Sequence, residues 1–94
     1  DVRFVLIDTF VLKSALLMTK GGEWNISRSQ IETMGKIVAK LAKEFRAIHV
    51  KMQEVFDLAA REAGPEQWIW DGVHPLPQGH ELIARQWLQQ LSSH

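Results

Sequence analysis

Cysteine is absent from these 94 residues, which excludes a disulfide framework and thiolate metal sites and leaves the compartment open. There is no surplus of charge either: eleven basic side chains balance eleven acidic ones. A nucleic-acid binder normally shows a basic excess or stripe, so nucleic acid is not an expected partner. No apolar run approaches the roughly 18–20 residues that cross a bilayer, and a membrane is not an expected partner. Internal repeats and low-complexity tracts are missing too. The length allows one domain at most, and a chain this short buries only about 60–65% of the surface its unfolded form exposes.

What is present centres on Trp70-Asp71-Gly72-Val73-His74-Pro75. An acid and a histidine stand three positions apart across a glycine. A carboxylate so placed folds back to accept a hydrogen bond from the ring Nδ1–H. That bond fixes the tautomer with Nε2 free as a base, and it stabilises the imidazolium that forms when a proton is taken. Gly72 allows the sharp bend, and Pro75 stiffens the exit. Asp71 and His74 are therefore the candidate catalytic pair, orienter and base. The turn holds no nucleophile. Trp68 and Trp70 beside it either exclude water and strengthen the hydrogen bond or serve as packing. A metal site from Asp71, His74 and His80 lacks an evident fourth ligand, so neither metal nor cofactor is expected.

Upstream, Val2 to Asp8 is short, β-branched and nearly continuous in apolar character, as a parallel strand covered on both faces would be. Thr9-Phe10 follows at its carboxyl end, where open α/β sheets place ligands; an aromatic there also simply closes a core. Val11-Leu12 and Ala15 to Met18 suit a short helical turn, and Lys20-Gly21-Gly22 breaks it. Trp24 is read as an anchor for this connection, and Asn25-Ile26-Ser27 matches the glycosylation acceptor pattern weakly. Capping boxes at Ser27 to Gln30 and Ser29 to Glu32 predict a helix start. Its apolar stripe is Ile31, Met34, Val38, Leu41, Ala42 and Phe45, with the lysines on a solvated face and Gly35 suggesting close packing. A second strand, Ala47 to Met52, carries His49 in a structural role. A helix from Gln53 to Ala63 buries Val55, Phe56, Ala59 and Ala63, with Asp57 and Arg61 paired. The last helix runs from after Pro77 to about Leu91, with Ile83, Ala84, Trp87 and Leu91 on one stripe and Leu82 off it.

Asp71-Gly72-Val73-His74-Pro75, then Gly79-His80, Leu82-Ile83-Ala84 and Trp87-Leu88, resembles the final block of the SGNH/GDSL-type hydrolases. Phe4-Val5-Leu6-Ile7 looks like that family's penultimate core strand, and Leu41-Ala42-Lys43-Glu44-Phe45 precedes a strand as it does in those enzymes. The resemblance implies an α/β, partial flavodoxin-like three-layer fold, with two parallel strands, a right-handed helical crossover and a C-terminal helix. Residues 1–94 would form the carboxyl-terminal part of a single such domain, in keeping with a chain that enters a strand at once from Asp1. The implied activity is ester hydrolysis, on short acyl esters or acetylated carbohydrate, through a serine nucleophile. His74 would be its base and Asp71 the orienter, with Phe10 and Val73 as weak candidates for substrate contact.

The departures are specific. No Gly-Asp-Ser block is present, and neither are the blocks that supply the oxyanion-hole glycine and asparagine. Ser14, Ser27, Ser29, Ser92 and Ser93 have no strand-to-helix glycine context. Arg46 stands where a glycine commonly ends the helix. Alone, these residues are expected to hydrolyse esters poorly, because the oxyanion hole is often the largest catalytic contribution. The alternative is an inactive module whose exposed strand edges pair with a missing amino-terminal segment, another chain or its own copy.

Overall fold

The computed structural model describes residues 2–13, 23–71 and 73–93, the side chains of residues 23–26 excepted. Two short strands, β1 (Val5–Ile7) and β2 (Ile48–Val50), pair in parallel. Leu6 stands opposite His49, with Val5 and Ile7 opposite Ile48 and Val50. Bonds from Ile48 N–H to the Phe4 carbonyl (2.8 Å) and from Asp8 N–H to the Val50 carbonyl (3.1 Å) extend the ladder at both ends. Parallel neighbours need a long connection, and helix α1 (Glu23–Glu44) lies in it. Helix α2 (Met52–Glu62), a 3₁₀ turn (Pro65–Gln67) and helix α3 (Pro77–Ser92) follow β2. The fold is α/β in three layers, and no helix among the described residues is long and apolar enough to cross a membrane.

Strand alternation sorts the side chains between the layers. Val5 and Val50 point to a core built with Leu12, Met52, Phe56 and Ile69, completed by Leu82 and Ile83 of α3. Leu6, His49 and Asp8 take the other face, beneath α1. The expected cover on both faces of β1 is incomplete: Phe4 and Ile7 are exposed. The cause is lateral, since α3 packs over β2 and one flank of β1 has no neighbour among the described residues.

Helix α1 begins at Glu23, so Ser27 and Ser29 lie inside it and cap nothing; the Ser29 carbonyl instead accepts a bond from the Thr33 hydroxyl at 3.0 Å. A capping-box pattern is not decisive when the preceding residues continue the helix, because serine costs only a few tenths of a kcal/mol in its interior. The predicted stripe splits in two. Ile31, Gly35, Val38 and Ala42 face the sheet, whereas Met34, Ile37, Leu41 and Phe45 form a second apolar line that is exposed. Gly35 is not closely packed, as a Cβ there would meet nothing within 4 Å.

The helix ends in a Schellman arrangement, with Ala47 N–H bonded to the Ala42 carbonyl (2.8 Å) and Arg46 N–H to that of Lys43 (3.4 Å). Arg46 occupies the left-handed position, φ 51°, which a glycine would take without strain. The expected Asp57–Arg61 pair is also corrected. Asp57 receives both arms of Arg28 from α1, at 2.9 and 2.7 Å. A planar guanidinium meets both carboxylate oxygens at once, and the contact holds Arg28 still more firmly protonated.

Val11 and Leu12 form no helical turn. Both are buried, and the buried Gln53 clamps Val11, accepting from its N–H at 2.8 Å and donating to its carbonyl at 3.0 Å. Residues 14–22, with Ser14 and the Lys20-Gly21-Gly22 break, lie outside the described residues, as do the side chains of Trp24 and Asn25. In α3 only Gly79 is buried, with Leu82, Ile83, Gln86 and Leu91 half-buried on the same side, so Leu82 belongs to the packed face and Ala84 and Trp87 do not. Gly79 sets that rotation: a Cβ there would lie 2.3 Å from the Trp68 carbonyl oxygen.

Candidate active site

The turn bearing Asp71 and His74 is the tip of a small hairpin. Ile69 and Pro75 form an antiparallel bridge, Leu76 N–H donates to the Trp68 carbonyl at 2.8 Å, and Trp70 N–H donates to that of His74 at 3.3 Å. The base of the hairpin is fixed from below. Ile69 is fully buried in the core, and Trp68 Nε1 donates to the Ala63 carbonyl at 3.0 Å. Gly72, assigned above to the bend, lies outside the described residues.

Within this frame the Asp71 carboxylate gathers three donors. Its Oδ1 accepts the backbone N–H groups of Val73 (3.0 Å) and His74 (2.7 Å), as the acid of an Asx-turn does. Its Oδ2 lies 2.5 Å from His74 Nδ1. Partial burial works against the charge, but the bonds from His74 and Val73 outweigh it, and the Asp71 pKa is lowered from 3.8 to about 2. An ionised acceptor on Nδ1 selects the Nδ1–H tautomer. That leaves the lone pair on Nε2, which has no partner among the described residues.

The Asp71 side chain is only 15% exposed, whereas that of His74 is 71% exposed. The pair is therefore anchored at the carboxylate and open at the imidazole. The described residues leave water free access to the imidazole, so of the two readings of Trp68 and Trp70, exclusion of water is not met among them. Trp68 packs against the core, and Trp70 lies beside His74, their ring centres 6.2 Å apart at 30°. Val73 is exposed next to the base. Phe10 is not in this turn; its ring rests on that of Phe56 in the core, centres 4.6 Å apart, which is the packing role. His80 is exposed, and no group of three or more His, Cys, Asp or Glu side chains suited to a metal ion occurs among the described residues.

No protein-family model matches the chain. An acetylxylan esterase of Geobacillus stearothermophilus is 30% identical over 95 aligned positions, which take in 96% of this chain and 43% of that protein. A GDSL-like lipase structure from Parabacteroides merdae superimposes with a TM-score of 0.78 at 30% identity, over 94% of this chain and 38% of the other. By sequence and fold, the chain is a relative of the SGNH/GDSL-type hydrolases. It spans less than half the length of these relatives. The Geobacillus acetylxylan esterase has itself been solved, with a TM-score of 0.77 at 26% identity over 94% of this chain and 37% of that one. Three further forms of it are catalytic mutants, in which a serine, an aspartate and a histidine are each replaced by alanine. In that acetylxylan esterase the mutated aspartate and histidine are three positions apart, and another form replaces the tryptophan directly before the aspartate.

A second aspartate–histidine pair escaped the reading of the sequence. His49 Nε2 lies 2.5 Å from Asp8 Oδ1 beneath α1, with side-chain exposures of 15% and 9%. His49 has the structural place expected of it. Its partner, 41 positions away, becomes visible only once the register of β1 against β2 is known.

Proposed function

We propose that these residues carry the base and its orienter for an ester hydrolase, with His74 as general base and acid and Asp71 holding its tautomer. The observation that carries this reading is the contact of Asp71 Oδ2 with His74 Nδ1 (2.5 Å) on an imidazole whose Nε2 is open to solvent. The Trp-Asp-x-x-His spacing of Trp70, Asp71 and His74 matches that of the mutated tryptophan, aspartate and histidine in the acetylxylan esterase. In this mechanism Nε2 takes the proton of a serine hydroxyl as it attacks the acyl carbon. The proton then passes to the departing alcohol, and water releases the acyl-enzyme by the same route. Val73, exposed beside the base, is placed to touch the acyl or alcohol group. The substrate class is a short acyl ester, acetylated carbohydrate first among them.

The serine and the oxyanion donors come, on this reading, from polypeptide outside the 94 residues, which form the carboxyl-terminal part of a single domain. The uncovered flank supports this. Phe4, Leu6, Leu41, Phe45 and Ala47 line an apolar cavity of 280 Å³, continuous along α1 with exposed Met34 and Ile37. The same face supports the second reading, an inactive module that buries this surface against another chain or a second copy.

The test is hydrolysis of p-nitrophenyl acetate and acetylated xylo-oligosaccharide by the full-length protein. His74→Ala is expected to lower kcat by about 10⁶-fold. Wild-type turnover by that variant removes His74 from the mechanism. No turnover by the unaltered full-length protein, with self-association of the 94-residue chain in sedimentation, selects the second reading.

A further inference from the structure

We propose that Trp70 is the positioning residue of His74, flanking one face of the imidazole and so directing Nε2 to the opposite side of the hairpin; the proposal rests on the esterase reading above. The Asp71 carboxylate holds a single ring atom, Nδ1, and a ring held at one atom still pivots about that bond. His74 is 71% exposed and has little else against it. The flat surface beside it is the Trp70 indole, 6.2 Å between ring centres and 30° between planes.

The backbone builds this neighbourhood. Trp70 N–H donates to the His74 carbonyl, and the adjoining Ile69–Pro75 bridge locks the register, so the two rings are cross-strand neighbours. Packing within the described residues does not account for the indole, because Trp70 is 54% exposed. Trp68, two residues earlier, shows the contrast: it is tied through Nε1 to Ala63 and lies on the core. The aromatic neighbour of this exposed tryptophan is the imidazole itself, offset beside it. With the indole flanking one face of the imidazole, the attacking hydroxyl and the departing alcohol are directed to the other.

The experiment compares Trp70→Ala, Trp70→Phe and His74→Ala in the full-length protein on p-nitrophenyl acetate, with ¹H–¹⁵N spectra of the imidazole. Trp70→Ala is expected to lower kcat about ten- to a hundredfold while KM stays within about twofold. Trp70→Phe, which keeps a flat ring, restores most of kcat. In the wild type, the His74 Hδ2 and Hε1 signals are displaced by the indole ring current; Trp70→Ala abolishes the displacement while the Nδ1–H signal persists. Unchanged kcat in Trp70→Ala beside a lost one in His74→Ala overturns the positioning role and leaves the esterase reading intact. Unchanged ring-proton signals in Trp70→Ala also overturn it, whatever the kinetics. Wild-type kcat in His74→Ala overturns both.

Discussion

The molecule holds two aspartate–histidine pairs with the same 2.5 Å contact and opposite circumstances. Asp71 and His74 are near neighbours in sequence, joined through Nδ1, with the imidazole out in solvent. Asp8 and His49 come from different strands, joined through Nε2, with both side chains nearly buried. The contact alone thus says nothing about catalysis. The two pairs differ in which ring nitrogen the acid holds and in how far the imidazole is exposed, 71% for His74 against 15% for His49. The closed pair links β1 to β2 beneath α1, in a region lined also by Arg28, Glu32, Lys36, Lys51, Gln53, Glu54 and Asp57. The open pair links nothing to anything except itself.

The sharpest way to break the comparison is to remove each imidazole in turn. His74→Ala is expected to remove ester turnover from the full-length protein, as given above, with little change in melting temperature. His49→Leu should do the reverse: it leaves the Asp8 carboxylate buried without its partner, at a cost of about 1–3 kcal/mol, read by urea denaturation, while kcat of the folded fraction holds. Loss of turnover in a fully folded His49→Leu protein would show that the closed pair does chemistry after all.

Acid sharpens the contrast next. The Asp71 carboxyl, lowered to about 2 from 3.8, has a depressed folded-state pKa. Its contribution to stability is therefore complete above about pH 4 and is lost as pH falls through about 2. A ¹³C carboxyl titration should place its midpoint near 2. A midpoint at the ordinary value would mean that the three donors do not hold it in solution.

The smallest expected effect is a gain. Arg46→Gly relieves a left-handed backbone just before β2 and should stabilise the chain by about 0.5–1 kcal/mol, seen as a higher melting temperature. The His74 ring signals should not move, since the open pair is built within its own hairpin. Movement of those signals would show that the two regions are coupled.

How far the sequence discloses each region follows from the same difference. Asp71 and His74 were legible because acid, glycine, histidine and proline lie on one short stretch and need only a local turn. Arg46 was legible for a like reason, a helix end without its glycine. The Asp8–His49 contact, the Arg28–Asp57 clamp and the Gln53 grip on Val11 were not, because each joins elements whose mutual placement no local pattern encodes. The i,i+4 rule pointed Asp57 to Arg61, and a residue from another helix outcompeted it with a two-pronged contact. The apolar stripe of α1 was overcounted for a related reason: periodicity marks which residues avoid water, not which neighbour covers them. The strand positions and the order of elements were legible, as they rest on β-branched runs and helical periodicity.

Gly79 carries a consequence for the placement of His74. The backbone of α3 lies directly against the Trp68 carbonyl at the foot of the hairpin, with no side chain as a cushion between them. The first turn of the helix and the foot of the hairpin therefore meet backbone to backbone, so the placement of the tip that bears the imidazole follows that of the helix. The aim of His74 is indexed to a sixteen-residue rod, which makes that helix the gunsight mount of the site as much as a wall of its core.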